Sequence, residues 1–194
     1  MPYCGRSTPL LSASSDGSGF CTLVLGTLAP GPAGGFALTL AGGDHLPAQH
    51  LRPARRDGPE RAVARTEPVS LAGGMLVGAL HHADFVSRTV QLLPGEALFL
   101  YSNGLTEARA PRGARFGESG LSSHLTHHAA TNRALGAAAI ISDLTVLLNA
   151  FPAGPADDVA LLALSATSTT PATTPYGASG TAHTSVPLPL PDST

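Results

Sequence analysis

The chain has 194 residues, 43% of them hydrophobic and 12% charged, with a formal net charge of −2. This length and this hydrophobic content predict one globular domain with a core of its own, and they exclude a largely disordered chain. All eleven basic residues are arginines, and acidic residues interrupt their one dense stretch, residues 52–65, which favours a solvated loop over a surface for nucleic acid.

The first predicted elements are a leader and a hairpin. Residues 1–19 are rich in Ser, Gly and Pro and show no period, so we expect a loose leader. Two apolar runs, residues 20–28 and 36–40, flank a Pro/Gly segment, which is typical of a hairpin. The first run is too short to span a bilayer and has no basic segment before it, so we expect a cytoplasmic protein with no membrane association.

More strands follow in the middle of the chain. Residues 62–66 predict a short strand. Residues 85–93 alternate between apolar and polar side chains, as a half-buried strand does. Residues 97–101, with the sequence ALFLY, are apolar on both faces, as in a central strand. Because Pro94, Gly95 and Glu96 form a turn segment between these two strands, the sequence predicts a second hairpin.

The period then changes to that of a helix. Apolar residues recur at three- and four-residue steps up to Phe151, which predicts an amphipathic helix of about five turns. Thr131 or Asn132 is the expected N-cap, and Pro152 follows the end. We also expect a shorter helix around residues 119–128 and a buried strand at 159–164. This order of elements indicates an α+β fold.

Composition divides the chain into three parts. Residues 20–165 are the predicted domain, between the leader and a Thr/Ser/Pro-rich tail at residues 166–194. The tail has too few large apolar side chains to offset the entropy of ordering, so we expect it to be disordered. The absence of lysine and the many Ala, Gly and Pro residues resemble the coding bias of a high-GC bacterial genome.

Four segments in a fixed order carry a family resemblance. They read FCT at residues 20–22, PGEALFLYSNGLTEA at 94–108, FGE at 116–118 and DDVALL at 157–162. In this order and spacing they resemble the SpoIIE-like branch of the PPM-type (protein phosphatase 2C) serine/threonine phosphatases. Members of that branch typically read PGD-LLLYTDGLTEA, FGE, a helix and DDVALL. The resemblance covers the C-terminal part of such a domain.

The resemblance implies a fold and a chemistry. It implies a β-sandwich flanked by helices, with two Mg²⁺ or Mn²⁺ ions at one end that serve the hydrolysis of phosphoserine or phosphothreonine esters. The substrate in such signalling systems is often an anti-sigma-factor antagonist. The resemblance places metal ligands at Asp157, with its neighbour Asp158, and at position 103. Hard divalent ions prefer oxygen ligands, and two ions held close together require several anionic ones.

The sequence departs from the family pattern at three places. Asn103 stands where the family has the aspartate of its TDG motif. The family's N-terminal GDVxGxG motif has no true counterpart, since Asp16 to Gly19 lies directly before the first strand. The family's GHP turn reads Gly43-Asp44-His45. We therefore expect a truncated and catalytically impaired phosphatase domain. The alternative is a non-catalytic pseudophosphatase that binds a partner-switching regulator, and self-association is a further expectation.

Two simpler interpretations remain open. Asp157 and Asp158 can also cap the entry to a strand, and Asn103 before Gly104 is typical of a turn with positive φ. His124, His127 and His128 have helical spacing that could hold Zn²⁺, but no Cys and no carboxylate accompanies them at matching spacing. A solvated helix face is therefore favoured for these histidines.

Overall fold

Within the described part of the chain, the fold contains two antiparallel sheets, three α-helices and a short 3-10 helix at Pro111–Gly113. A computed structural model describes residues 20–32, 34–54, 63–71, 74–77, 85–152, 154–155 and 157–167. The predicted leader, the tail from residue 168 and most of the arginine-rich loop lie outside the described residues. The strands are β1 Leu23–Pro30, β2 Phe36–Gly43, β3 Ala48–Arg52, β4 Arg65–Val69, β5 Val86–Leu92, β6 Ala97–Tyr101 and β7 Leu161–Ser165.

The strands form a sandwich. The first sheet has the order β1-β2-β5 and the second the order β4-β3-β6-β7, with antiparallel pairing throughout. The predicted first hairpin is confirmed, since β1 pairs with β2 along its whole length. The predicted last strand lies beside β6, as expected for two apolar strands that lead to and from the motif residues. The α+β class is likewise confirmed.

The second predicted hairpin is wrong. Strand β5 pairs with β2 in the first sheet, whereas β6 lies between β3 and β7 in the second. The turn at Gly95 and Glu96 explains the change of sheet, because its backbone bonds to Ala166, the residue after β7, with N···O distances of 2.7 and 3.1 Å. Strand β6 is buried on both faces. Its apolar side chains are therefore accommodated at the centre of the second sheet, where other parts of the protein pack against both faces.

Two more strands differ from expectation. Strand β4 begins at Arg65, three residues after the predicted start. Strand β3, which the sequence analysis did not predict, contains the polar residues Gln49 and His50, yet both are buried. Its position between β4 and β6 buries it, and His50 has a buried partner in Glu96.

The helices are α1 Asn103–Glu107, α2 Gly117–Thr131 and α3 Ala137–Asn149. The expected N-caps of the last helix are wrong, because α3 begins after Gly136. Asn132 instead ends α2, where its Nδ2 donates a hydrogen bond to the carbonyl of His128 at 2.8 Å. Leu135 is buried in the short connection between α2 and α3. The apolar spacing that predicted one long helix therefore begins in this connection, before α3 starts.

The core has two layers. Leu38 and Leu40 of the first sheet meet Leu98 and Leu100 of the second. On the other side of the second sheet, Phe99 packs among helix residues, which are Leu121, Leu125, Ile140 and Leu144. None of the helices within the described residues combines the length and apolarity needed to cross a membrane.

Candidate metal and phosphate site

A cavity of about 740 Å³ opens at one edge of the sandwich, where β2 and β6 end and β1 and β7 begin. Three segments of the family resemblance contribute to its wall. The lining residues are Phe20, Cys21, Thr22, Asp44, His45, Leu46, Leu76, Ser102, Asn103 and Asp157.

Two of the motif segments are clamped together by one serine. The Oγ of Ser102 donates to the carbonyl oxygen of Asp158 at 3.0 Å and accepts from the amide of Ala160 at 2.9 Å. The amide of Ser102 also donates to the carbonyl of Ala160 at 3.0 Å. These three hydrogen bonds fix the start of α1 against the segment that leads into β7, and so they position Asn103 beside Asp157.

Gly104 is required by this close approach. A Cβ atom at this position would lie 2.5 Å from the carbonyl oxygen of Asp158 and 3.0 Å from that of Asp157. Neither Asn103 nor Gly104 has a positive φ, so the interpretation of the pair as a left-handed turn is wrong. The glycine instead allows the first turn of α1 to contact the backbone before β7.

The three predicted ligand positions fall in different places. Asn103 and Asp157 are exposed and line the cavity. Asp158 is also exposed, but it is not one of the lining residues. Its amide donates to Oδ1 of Asp157 at 2.8 Å. This bond orients the Asp157 carboxylate and leaves its other oxygen for a ligand.

Asp44 is a second carboxylate in the cavity that the sequence analysis did not identify. It follows β2 with a φ of 50°, the left-handed conformation that few residues other than glycine adopt and that aspartate tolerates. The sequence signal was its place in the turn Gly43-Asp44-His45, where the family motif has a glycine before the histidine. The neighbouring His45 ring is tied to its own chain, with Nδ1 3.0 Å from the carbonyl of Leu46.

The donor set that the structure describes does not fit a two-ion centre. Among the described residues, the cavity lining offers two carboxylates, the amide of Asn103 and the hydroxyls of Thr22 and Ser102 as hard oxygen donors, and it contains no arginine. Within the described ranges, no three His, Cys, Asp or Glu side chains come together as metal ligands. One hydrated Mg²⁺ or Mn²⁺ can be held by one or two carboxylates, whereas two adjacent ions need more negative charge than Asp44 and Asp157 supply.

Cys21 also lies in this wall. Its place in an apolar run of the sequence favours a small buried side chain, but the free thiol is exposed. The backbone explains the position. The amide and carbonyl of Cys21 both pair with Val77 at 2.9 Å, which turns the segment before β1 toward the cavity.

A separate polar cluster joins α2 to α3. Oδ2 of Asp143 lies 2.9 Å from Nε2 of His124 and 2.9 Å from Nδ1 of His128. An ionised carboxylate only accepts hydrogen bonds, so both imidazoles donate to it. The expected solvated face therefore holds for His127, which is exposed, and is wrong for His128, which is buried. Helical spacing did not reveal this carboxylate, because Asp143 lies on α3 and the histidines lie on α2.

The antiparallel sandwich, with its helices against the second sheet and its acidic cavity at the strand ends, is the architecture of a PPM-type phosphatase domain. The chain belongs to the SpoIIE family, because the family model for stage II sporulation protein E matches residues 7–167. No curated protein sequence matches the chain.

Solved structures share the fold. The phosphatase domain of the cell fate determinant SpoIIE from Bacillus subtilis, presoaked with Mn, is 15% identical with a TM-score of 0.56; the match covers 84% of this chain and 64% of that one. The RsbU and RsbW domains of Rv1364c from Mycobacterium tuberculosis are 23% identical with a TM-score of 0.55, over 77% of this chain and 37% of that one. The chain therefore spans less than two thirds of the length of either structure.

Proposed function

We propose that this chain carries a serine/threonine protein phosphatase domain whose catalysis is impaired at its metal centre. The observation that supports this proposal is Asn103. It lies in the cavity beside Asp157, at the position where the family resemblance expects an aspartate. An amide oxygen can still coordinate a hard cation, but it contributes no negative charge.

The charge of the cavity explains why this one residue matters. Two divalent ions repel each other, and anionic ligands must offset that repulsion. In the family, bound metal supplies acidified water for attack on the phosphate ester. Without a cation, Asp44 and Asp157 would also repel a phosphate dianion. The loss of one carboxylate therefore weakens metal binding and phosphosubstrate binding together.

The proposed substrate is a protein phosphorylated on serine or threonine, such as an anti-sigma-factor antagonist. The Mycobacterium tuberculosis structure, in which an RsbU domain and an RsbW domain occur in one protein, supports such a partner-switching context. The second candidate function is a pseudophosphatase that binds the same regulator without turnover. The same shortage of carboxylates favours it.

Direct titration with Mn²⁺ tests the proposed metal centre. We expect weak Mn²⁺ binding by the wild type and binding on the order of tenfold tighter in Asn103→Asp, a gain of about 1.4 kcal/mol. Asp157→Asn should weaken the binding further. The matched control is Asp158→Asn, which changes a neighbouring carboxylate outside the cavity lining and should have the smaller effect. Equal Mn²⁺ affinity in the wild type and Asn103→Asp would overturn the proposal.

The two candidate functions differ in how they depend on metal. A phosphatase of reduced activity should bind its phosphorylated protein more tightly with Mn²⁺ than with EDTA, and Asn103→Asp should increase that difference. A pseudophosphatase should bind its regulator equally well in EDTA. Binding of phosphorylated and unphosphorylated antagonist, measured by calorimetry in both conditions, separates the two.

A further inference from the structure

A short hairpin directly after α1 is held in shape by main-chain hydrogen bonds. We call its residues 108–116 the arginine hairpin. The amide of Ala110 donates to the carbonyl of Ala114 at 2.9 Å, and the amide of Phe116 donates to the carbonyl of Ala108 at 2.8 Å. The two arms of the hairpin therefore face each other in a fixed register.

The core holds the base of the arginine hairpin. Ala108 is fully buried, and Ala110 and Phe116 pack against the core on the helix side of the second sheet. The ring of Phe116 also meets the ring of Phe151 edge to face, with 5.6 Å between the two ring centroids. The hairpin is therefore a fixed projection from the core, and its exposed side chains start from a fixed backbone.

Two arginines face each other across this hairpin. Arg109 and Arg115 are opposite partners in an isolated antiparallel bridge. The main-chain hydrogen bonds lie on either side of them, so they form a non-hydrogen-bonded pair, in which opposite Cα atoms approach to about 4.5 Å and side chains lie closest. Both residues are exposed. Like charges directly opposite each other destabilise such a pair, and an anion between the two guanidinium groups would relieve that repulsion.

The partners of the two guanidinium groups leave positive charge in excess. Nη1 of Arg109 donates to the carbonyl of Gly113 at 3.1 Å, a contact that neutralises no charge. Nη1 of Arg115 lies 3.9 Å from Oε1 of Glu107, and the two side chains are 69% and 41% exposed. Among the described residues, Glu107 is the one carboxylate paired with either arginine. Two cations beside one anion leave a net positive charge, which suits an anionic partner.

We propose that the arginine hairpin binds one anionic group, a carboxylate or a phosphoryl group, of a protein partner that docks at the cavity. The existence of that partner rests on the proposed function. Guanidinium groups pair with either anion through two parallel hydrogen bonds, whereas nucleic acid needs many phosphate contacts over a broad surface. Helix α1, whose five residues span about 8 Å, separates the hairpin from Asn103 in the cavity wall. An extended segment of about three residues covers that distance.

Fluorescence anisotropy in EDTA tests this site with three labelled peptides of one neutral background. One peptide carries a phosphoserine, one carries several glutamates and a serine, and one carries glutamines and a serine. The wild type should bind one or both anionic peptides and not the neutral one, and the tighter of the two identifies the anionic group. Binding should weaken about tenfold in Arg109→Gln/Arg115→Gln, since each exposed ion pair contributes modestly. Arg88→Gln, the matched control, removes an exposed arginine of β5 in the first sheet and should bind as the wild type does.

Two further measurements separate this site from the metal centre and from effects of variant folding. In NMR spectra of the wild type, the amides from Arg109 to Arg115 should shift when the anionic peptide is added, while those of β5 should not. The Mn²⁺ affinity of the double variant should equal that of the wild type, so a failure of the proposed metal centre would leave this proposal standing. The proposal is wrong if no anionic peptide binds better than the neutral one, if the double variant and Arg88→Gln bind alike, or if the shifts lie elsewhere. A changed Mn²⁺ affinity in the double variant would place its effect in the cavity and would also contradict the proposal.

Discussion

At the scale of single residues, Gly104 determines how closely the two halves of the cavity wall approach. Gly104→Ala must displace the backbone at Asp157 and Asp158, because its Cβ would lie 2.5 Å from a carbonyl oxygen. We expect the variant to lose about 1–3 kcal/mol of unfolding free energy, the usual cost of overpacking, and to bind Mn²⁺ more weakly. Urea unfolding and Mn²⁺ titration of the same sample check both effects.

The matched control is Gly136→Ala. A Cβ at Gly136 would meet no atom nearer than 3.9 Å, and the residue has an ordinary extended backbone with a φ of −84°. Its unfolding free energy should change by less than about 1 kcal/mol. If both variants lost the same unfolding free energy, the requirement for glycine at position 104 would come from conformational freedom and not from the close approach of the backbone.

Glu96 gives the fold a dependence on pH. Burial alone would raise the pKa of this carboxyl group, but hydrogen bonds from His50 and the amide of Leu93, with the charges of His50 and Arg52, lower the pKa below its usual value of 4.5. Because the folded state holds the proton less tightly than the unfolded state does, Glu96 stabilises the fold above about pH 4.5. That contribution is lost as the pH falls through the lowered pKa.

The corresponding measurement is urea unfolding of the wild type and Glu96→Gln between pH 3 and 7. The difference in their unfolding free energies should be largest near neutral pH and should shrink as the pH falls below 4.5. A difference that stayed constant over this range would show that Glu96 acts through packing and not through its charge.

At the scale of elements, Asp143 holds α2 and α3 together. Asp143→Ala would leave two imidazole N–H groups without their acceptor, one of them on the buried His128. Leaving such a group unpaired costs about 1–3 kcal/mol. Ser142→Ala, one residue earlier on the exposed side of α3, should cost less than about 0.5 kcal/mol. Equal unfolding free energies of these two variants would contradict this role of Asp143.

Local patterns predicted most of the elements and the β1–β2 hairpin, but not which sheet β5 and β6 join. The alternation in β5 and the apolar run of β6 are visible in the sequence, and so are the motifs at residues 103 and 157. Which sheet each strand joins depends on bonds such as those between Gly95 and Ala166, which lie far apart in the chain. Strand β3 was not predicted for the same reason, since Gln49 and His50 are buried through contacts with other strands.

The residues of the candidate site were likewise predicted only in part. Family motifs led to Asn103 and Asp157, and the fold brings both into one cavity. Asp44 was not predicted because its relevance comes from the end of β2 meeting the end of β6. The Asp143 carboxylate was missed because helical spacing describes one helix and cannot show a partner from the next.

At the scale of the whole molecule, the SpoIIE-type sandwich is present, and the reduced charge at its edge is our proposal. Both core layers are present, and so are the hydrogen bonds of Ser102 that position the cavity wall. Among the described residues, the cavity contains Asp44 and Asp157 as its carboxylates, with Asn103 beside Asp157. We infer a scaffold retained for folding and binding with weakened chemistry at one edge.

Hydrolysis of p-nitrophenyl phosphate with Mn²⁺ tests this account most directly, with the wild type, Asn103→Asp and Asp157→Ala each assayed in Mn²⁺ and in EDTA. We expect wild-type hydrolysis barely above background and no restoration of full turnover in Asn103→Asp, because the proposed site would still offer too few anionic ligands for two ions. Robust hydrolysis by the wild type that EDTA abolishes and that Asp157→Ala lacks would contradict it, since Asn103 and its neighbours would then suffice for catalysis.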